Sequence, residues 1–144
     1  MEITAPRATL TSEAVMLLLQ GALDHAGDLG KSVYVAVMDA SARLVGLVGS
    51  DAAPRICADV AQHKAYTAVS MRMPTAAFKA MLDHVASGER EIFMADPGHI
   101  AADGGLPVIV DGLIAGGVGV SGGGQAEDAA CARAALVALG LEPG

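Results

Sequence analysis

Leu106-Pro107-Val108-Ile109-Val110-Asp111-Gly112-Leu113-Ile114-Ala115-Gly116-Gly117-Val118-Gly119-Val120 is the most informative run in this chain. Asp-Gly accepts positive φ at both central positions of a tight hairpin turn, and β-forming residues flank it on either side. The spacing predicts two antiparallel strands, over 106–110 and 113–120. Moving upstream, Ser32 to Met38 places Val at alternate positions, Asp39-Ala40-Ser41-Ala42 is a polar connection, and Arg43 to Val48 continues as a strand of similar length. These read as a second hairpin.

Helices surround the hairpins. Thr11 is placed to cap a helix that opens at Ser12-Glu13 and runs to about Asp28, with Leu10 and Val15 at the spacing of a hydrophobic staple. Its apolar stripe is Val15, Leu18, Ala22, His25, Ala26 and Leu29, and Gly30 ends it. A second helix spans about Ile56 to Met71, with a narrow face of Ala58, Ala61, Ala65, Ala68 and Val69. Pro74 stops it, and Thr75 is placed to cap a third helix that runs through Leu82. Residues 86 to 105 show no clear period, and a stretch of that length is either functional or hides a short strand near His99-Ile100. The last helix starts near Gln125, carries Glu127 and Asp128 in its first turn, and ends near Gly140. The order implies an α+β domain over residues 1–144, in three layers around an antiparallel sheet of about five strands.

Composition narrows the function. The 144 residues carry 9 Lys+Arg against 16 Asp+Glu, a net charge of −7, and have no basic run. Phosphate neutralisation supplies most nucleic-acid affinity, so a dedicated nucleic-acid binder is not expected. The chain is 53% hydrophobic, but no apolar run approaches the ~20 residues of a membrane span. The first residues show no basic stretch followed by an apolar one, so a cytoplasmic location is the expectation. Cys57 and Cys131 stand alone, which suits small buried hydrophobes rather than a disulfide or a CxxC metal site. Small Ala and Gly side chains dominate, and Ala-rich faces of this kind are commonly completed by a second subunit.

Few motifs carry chemistry. Gly117-Val118-Gly119-Val120-Ser121-Gly122 matches GxGxxG, but no parallel strand ending in an acidic residue can follow before residue 144. The plainer reading is that these glycines bring a strand and a helix close together. Ser121 does not lie in GxSxG. The four histidines show neither HExxH nor zinc-finger spacing. His25 lies in an apolar stripe, where a ring needs a hydrogen-bond partner or a metal unless it sits at the edge. His63 and Lys64, with Arg72 further on, give the second helix a cationic side that is either solvated or anion-binding.

Several segments together resemble the GlcG/HbpS-like family of haem-binding and haem-degrading domains, which includes the C-terminal domain of the PduO-type cobalamin adenosyltransferase. They are Val33 to Asp39 with Leu44-Val45, Lys64 to Val69, Pro74-Thr75, Gly104 to Val108, and Gly116 to Gly123, with an acidic residue opening the last helix. The resemblance covers about residues 10 to 140. It implies a profilin-like three-layer fold with a five-stranded antiparallel sheet, and homo-oligomers. Three features depart from the family pattern: Ser41-Ala42 where the hairpin turn usually carries glycine, His63 where an aspartate commonly precedes the lysine, and Phe93 to His99 where a glycine-rich, asparagine-containing pattern is usual.

The leading expectation is a small oligomeric haem- or tetrapyrrole-binding protein, possible haem degradation being implied by the resemblance. His25 would be the iron ligand, Lys64 and Arg72 the partners of anionic groups, and Gly119 with Ser121 backbone donors. The imidazole of the first helix and the cations of the second would then share one recess. A second expectation is a catabolic enzyme acting on a small organic acid, with His63 or His99 as acid or base and Lys64 or Arg72 holding the carboxylate. A third is a non-catalytic assembly module whose glycines serve packing alone.

Overall fold

A computed structural model describes residues 1–143. Helix α1 (Ser12–Asp28) is followed by β1 (Tyr34–Asp39), β2 (Leu44–Gly49), α2 (Ile56–Met71), α3 (Thr75–Leu82), α4 (Ser87–Met94), β3 (Gly105–Val110), β4 (Leu113–Ser121) and α5 (Gln125–Ala138). The strands form one antiparallel sheet in the order β2-β1-β4-β3. Four strands are present among the described residues, not five. The stretch expected to hide a strand near His99 instead forms α4 and an irregular segment strapped onto α2. The Ile100 amide donates to Thr67 Oγ1, and Asp96 Oδ1 accepts the Gly98 amide. Local turns and side-chain bonds satisfy this backbone, which therefore needs no strand partner.

Both hairpins form as expected. Asp111 and Gly112 take φ of 51° and 77°, the left-handed pair that a tight turn between twisted strands requires. In the first hairpin Ala42 occupies the left-handed region at φ 59°, and the Asp39 carboxylate accepts the Ser41 and Arg43 amides, bracing a turn that lacks glycine. At the start of α1, Thr11 Oγ1 accepts the Ala14 amide at 3.1 Å.

Strand alternation separates two cores. Val35, Val37, Leu106, Val108, Val118 and Val120 face Val15, Leu18, Ala22 and Ala26 of α1 and Cys131, Ala132, Ala135 and Leu136 of α5. Ala36 and Met38 face Ala61, Ala65 and Val69 of α2. Helices α1 and α5 thus cover one side of the sheet and α2 the other, giving α/β/α layering. The second core is made of small residues because α2 lies almost on the strands. A side chain at Gly119 would run into the Ala61 carbonyl and the Ala65 amide, and one at Gly117 would meet Val69 and the Ala65 carbonyl. The GxGxxG spacing therefore reports close helix–strand packing.

Candidate functional site

Lys64 projects from the sheet-facing side of α2. Its side chain is 3% exposed, and Nζ donates to the Val120 carbonyl at 2.8 Å and to Asp128 Oδ2 at 3.0 Å. Asp128, at the start of α5, also accepts the Gly123 amide through Oδ1 at 2.8 Å. Burial holds the Asp128 carboxyl above the usual carboxylate range, although Lys64 and the amides pull the other way. This pair ties α2 to α5 past the end of β4. The ammonium expected to meet an anionic ligand is spent inside the protein, because a charge this buried must be paired. Ser121 is buried at the same end of β4, and Gly119 lies beneath α2.

A second polar cluster lies near the C-terminal end of α2. The His99 side chain is 7% exposed, with its ring tilted against Tyr66 and Phe78 at centroid distances of 5.8 and 5.4 Å. Nδ1 lies 2.6 Å from the Phe93 carbonyl and Nε2 lies 2.8 Å from Ser70 Oγ. A carbonyl can only accept, so Nδ1 carries a proton, and in the neutral ring Nε2 accepts from the Ser70 hydroxyl. Tyr66 Oη donates to Asp96 Oδ2 at 2.6 Å. That bond, with the Gly98 amide, holds the Asp96 carboxyl below its ordinary range, while the same bond pushes the Tyr66 phenol up.

Ser70 opens onto a cleft of about 400 Å3, lined by Pro6, Arg7 and Ala8, by Ala40 and Leu113 beside the hairpin turns, by Ile114, and by Val69, Ser70 and Arg72 of the α2 end. Arg72 caps α2 at φ 58°. Sequence reasoning found Arg72 and His99 but neither Ser70 nor Arg7; a serine on a helix end and an arginine in an N-terminal segment carry no periodic or motif signal. Two further clefts are apolar in character. One of about 330 Å3 lies between β3 and the end of α5, and one of about 230 Å3 lies between α1 and β2.

His25 is half-buried in the last turn of α1, and no side-chain hydrogen bond among the described residues engages its ring. Its helix covers the α5 side of the sheet, while Lys64 stands on α2 across the sheet and sends its ammonium past the end of β4 to Asp128. None of the three clefts brings His25 and Lys64 together, and the Lys64 ammonium expected to face a ligand is occupied by Asp128 and the Val120 carbonyl. His63 is half-buried on α2, where its carbonyl accepts the Thr67 hydroxyl; it does not line the Arg72 cleft. Burial pushes the Cys131 thiol up to about 11, so it behaves as a small core residue, and Cys57 is free and half-buried.

Comparison with known proteins places this geometry. The model of the family described as "Haem degrading protein HbpS-like" matches residues 10–137. Protein GlcG of Escherichia coli K12 is 33% identical over 115 residues, which is 80% of this chain and 83% of GlcG. The crystal structure of Klebsiella pneumoniae protein ORFY superposes with a TM-score of 0.90 at 25% identity, covering 97% of both chains. A structure described as a PduOC:heme complex superposes with a TM-score of 0.83 at 26% identity, covering 91% of this chain and 95% of the other. With its antiparallel sheet, its glycine-floored α2 and a family match that spans nearly every element, this chain belongs to the HbpS-like family.

Proposed function

We propose that this protein binds haem, with His25 as the axial ligand. The observation that carries the reading is the His25 imidazole, half-buried on α1 and free of side-chain hydrogen bonds, in a chain with the fold and family of a protein solved with haem. Among the described residues no three metal-ligating side chains converge. One imidazole therefore suits a metal that brings its other donors with it, as the iron of a tetrapyrrole does. His25 lines none of the three clefts above, so the apolar slot for the macrocycle is completed by a second copy of the chain. Exposed Met16, Leu17, Leu29 and Val137 on α1, its end and α5 supply apolar surface for such contacts. When bound, the haem supplies iron-centred redox chemistry; the protein's part is to ligate the iron and exclude water.

Titration of the purified protein with hemin tests this directly. A saturable Soret shift is expected, and it is lost in His25→Ala while His63→Ala keeps it. A His25→Ala variant that binds hemin like the parent removes His25 as the ligand, and a parent with no saturable shift removes the function.

A further inference from the structure

We propose that the cleft at the turn end of the sheet is a binding site for a small oxyanion, a carboxylate- or phosphate-bearing molecule gripped by Arg7 and Arg72 with the Ser70 hydroxyl as a third contact. This site is separate from His25, and its failure would leave the haem reading untouched.

Charge is the first support. In a chain of net charge −7, two guanidinium groups line one cleft, and no carboxylate lines it with them. Neither arginine takes part in a salt bridge among the described residues; Arg43, Arg90 and Arg133 are likewise unpaired, but they do not line this cleft. Planar guanidinium forks match the oxygens of carboxylates and phosphates, and two of them on one cleft select for an anion. The volume of about 400 Å3 falls within the range of small-molecule sites.

Backbone geometry is the second support. Arg72 holds a left-handed conformation at the C-cap of α2, a position that glycine fills without strain. A long cationic side chain there costs stability that glycine would not, and such strain concentrates where a side chain is needed.

The third support is the Ser70–His99 pair. With a proton on Nδ1 and Nε2 accepting from Ser70, the hydroxyl shows its lone pairs to the cleft. Ser70 is exposed, so its hydroxyl can rotate from Nε2 toward an anion held by the two guanidinium groups. The groups facing His99 are the Asp96 carboxylate at 3.9 Å from Nε2, the Tyr66 and Phe78 rings, the Phe93 carbonyl and Ser70 itself.

Isothermal titration of the full chain at low salt, with succinate as the carboxylate probe and inorganic phosphate as the phosphate probe, tests the proposal. Saturable binding of at least one probe is expected, weakened about tenfold or more in Arg7→Ala and in Arg72→Gly, since each removes one charge-assisted pair. The probe that binds more tightly identifies the oxyanion class. Arg72→Gly is the discriminating variant: it should melt at or above the parent temperature, so its lost binding is not lost folding. In the parent background, Ser70→Ala should weaken succinate binding severalfold, since it removes the third contact. No saturable binding of either probe, or equal binding by the parent and the Arg7→Ala/Arg72→Gly double variant, overturns the site. Unchanged binding by Ser70→Ala removes the hydroxyl from it.

Discussion

Asp96 accepts two hydrogen bonds, from the Tyr66 hydroxyl at 2.6 Å and the Gly98 amide at 2.9 Å, and pins the irregular segment after α4 to α2. Its folded pKa lies below the unfolded value, so this stabilisation is present above the ordinary carboxyl range and is lost as pH falls through the folded value. Tyr66 has the opposite sign. Its phenol is raised, so its share is present below the unfolded value near 10 and is lost as pH rises through the folded one. Tyr66→Phe should therefore destabilise by about 1 kcal/mol at neutral pH, below the usual worth of a bond to a charged acceptor because Asp96 is a third exposed and screened by solvent. In urea titrations across pH, the difference from the parent should shrink below about pH 4. A constant difference would show that the phenol acts through packing alone. The Lys64–Asp128 pair predicts a larger effect. Asp128→Ala strands a buried ammonium and should cost about 3–5 kcal/mol, whereas Lys64→Met/Asp128→Leu should recover a large part of that loss. Denaturant midpoints of the two variants decide it.

Elements add a constraint that no single contact supplies. Helix α2 lies on the sheet because β4 offers Gly117 and Gly119 beneath it, and at Gly119 the atoms in the way are helix backbone. Gly119→Ala must therefore lift or shift α2, and a loss of about 2–3 kcal/mol is expected, in the upper range for overpacking. Gly27, at the exposed end of α1, has nothing within 4 Å of the point where an alanine methyl would stand, and Gly27→Ala should be neutral or stabilising by up to about 1 kcal/mol. Parallel urea melts of the two variants test whether close approach, rather than glycine as such, governs β4. The element boundaries were readable in the sequence wherever a cap or turn residue marked them. Thr11 announced α1, Pro74 separated α2 from α3, and Asp111-Gly112 fixed the second hairpin, but Thr75 does not cap α3: Pro74 holds the N-cap, and the Thr75 hydroxyl accepts the Gly105 amide instead. Helix α4 escaped because its eight residues span barely two turns, too short for an apolar period to recur, and none of them is buried.

At the scale of the whole molecule, α1 and α2 cover opposite faces of one four-stranded sheet, and the two proposed ligands would meet different surfaces. Hemin and a small oxyanion should therefore bind without excluding one another. By mass action, hemin at about 100 times its dissociation constant should stabilise the native state by roughly 2.7 kcal/mol. Thermal melts should show that shift in the parent and not in His25→Ala. If the macrocycle sits between copies, light scattering should give a mass that is a multiple of 14.4 kDa, and a strictly monomeric haem complex would refute a shared slot.

Periodicity, caps and turns are local properties, and the sequence alone was enough to determine the helices α1, α2, α3 and α5, both hairpins, the α+β class and the family. It also marked His25, Arg72 and His99 as residues with chemistry to offer. What they face was decided only by the tertiary structure. Lys64 and Asp128 lie 64 positions apart and meet across the end of β4, while Ser70 meets His99 from 29 positions away. Arg7 reaches the Arg72 cleft from the N-terminal segment. Such encounters depend on which face of the sheet each helix covers, and a helix pattern that reports only an apolar side does not say which face of the sheet receives it.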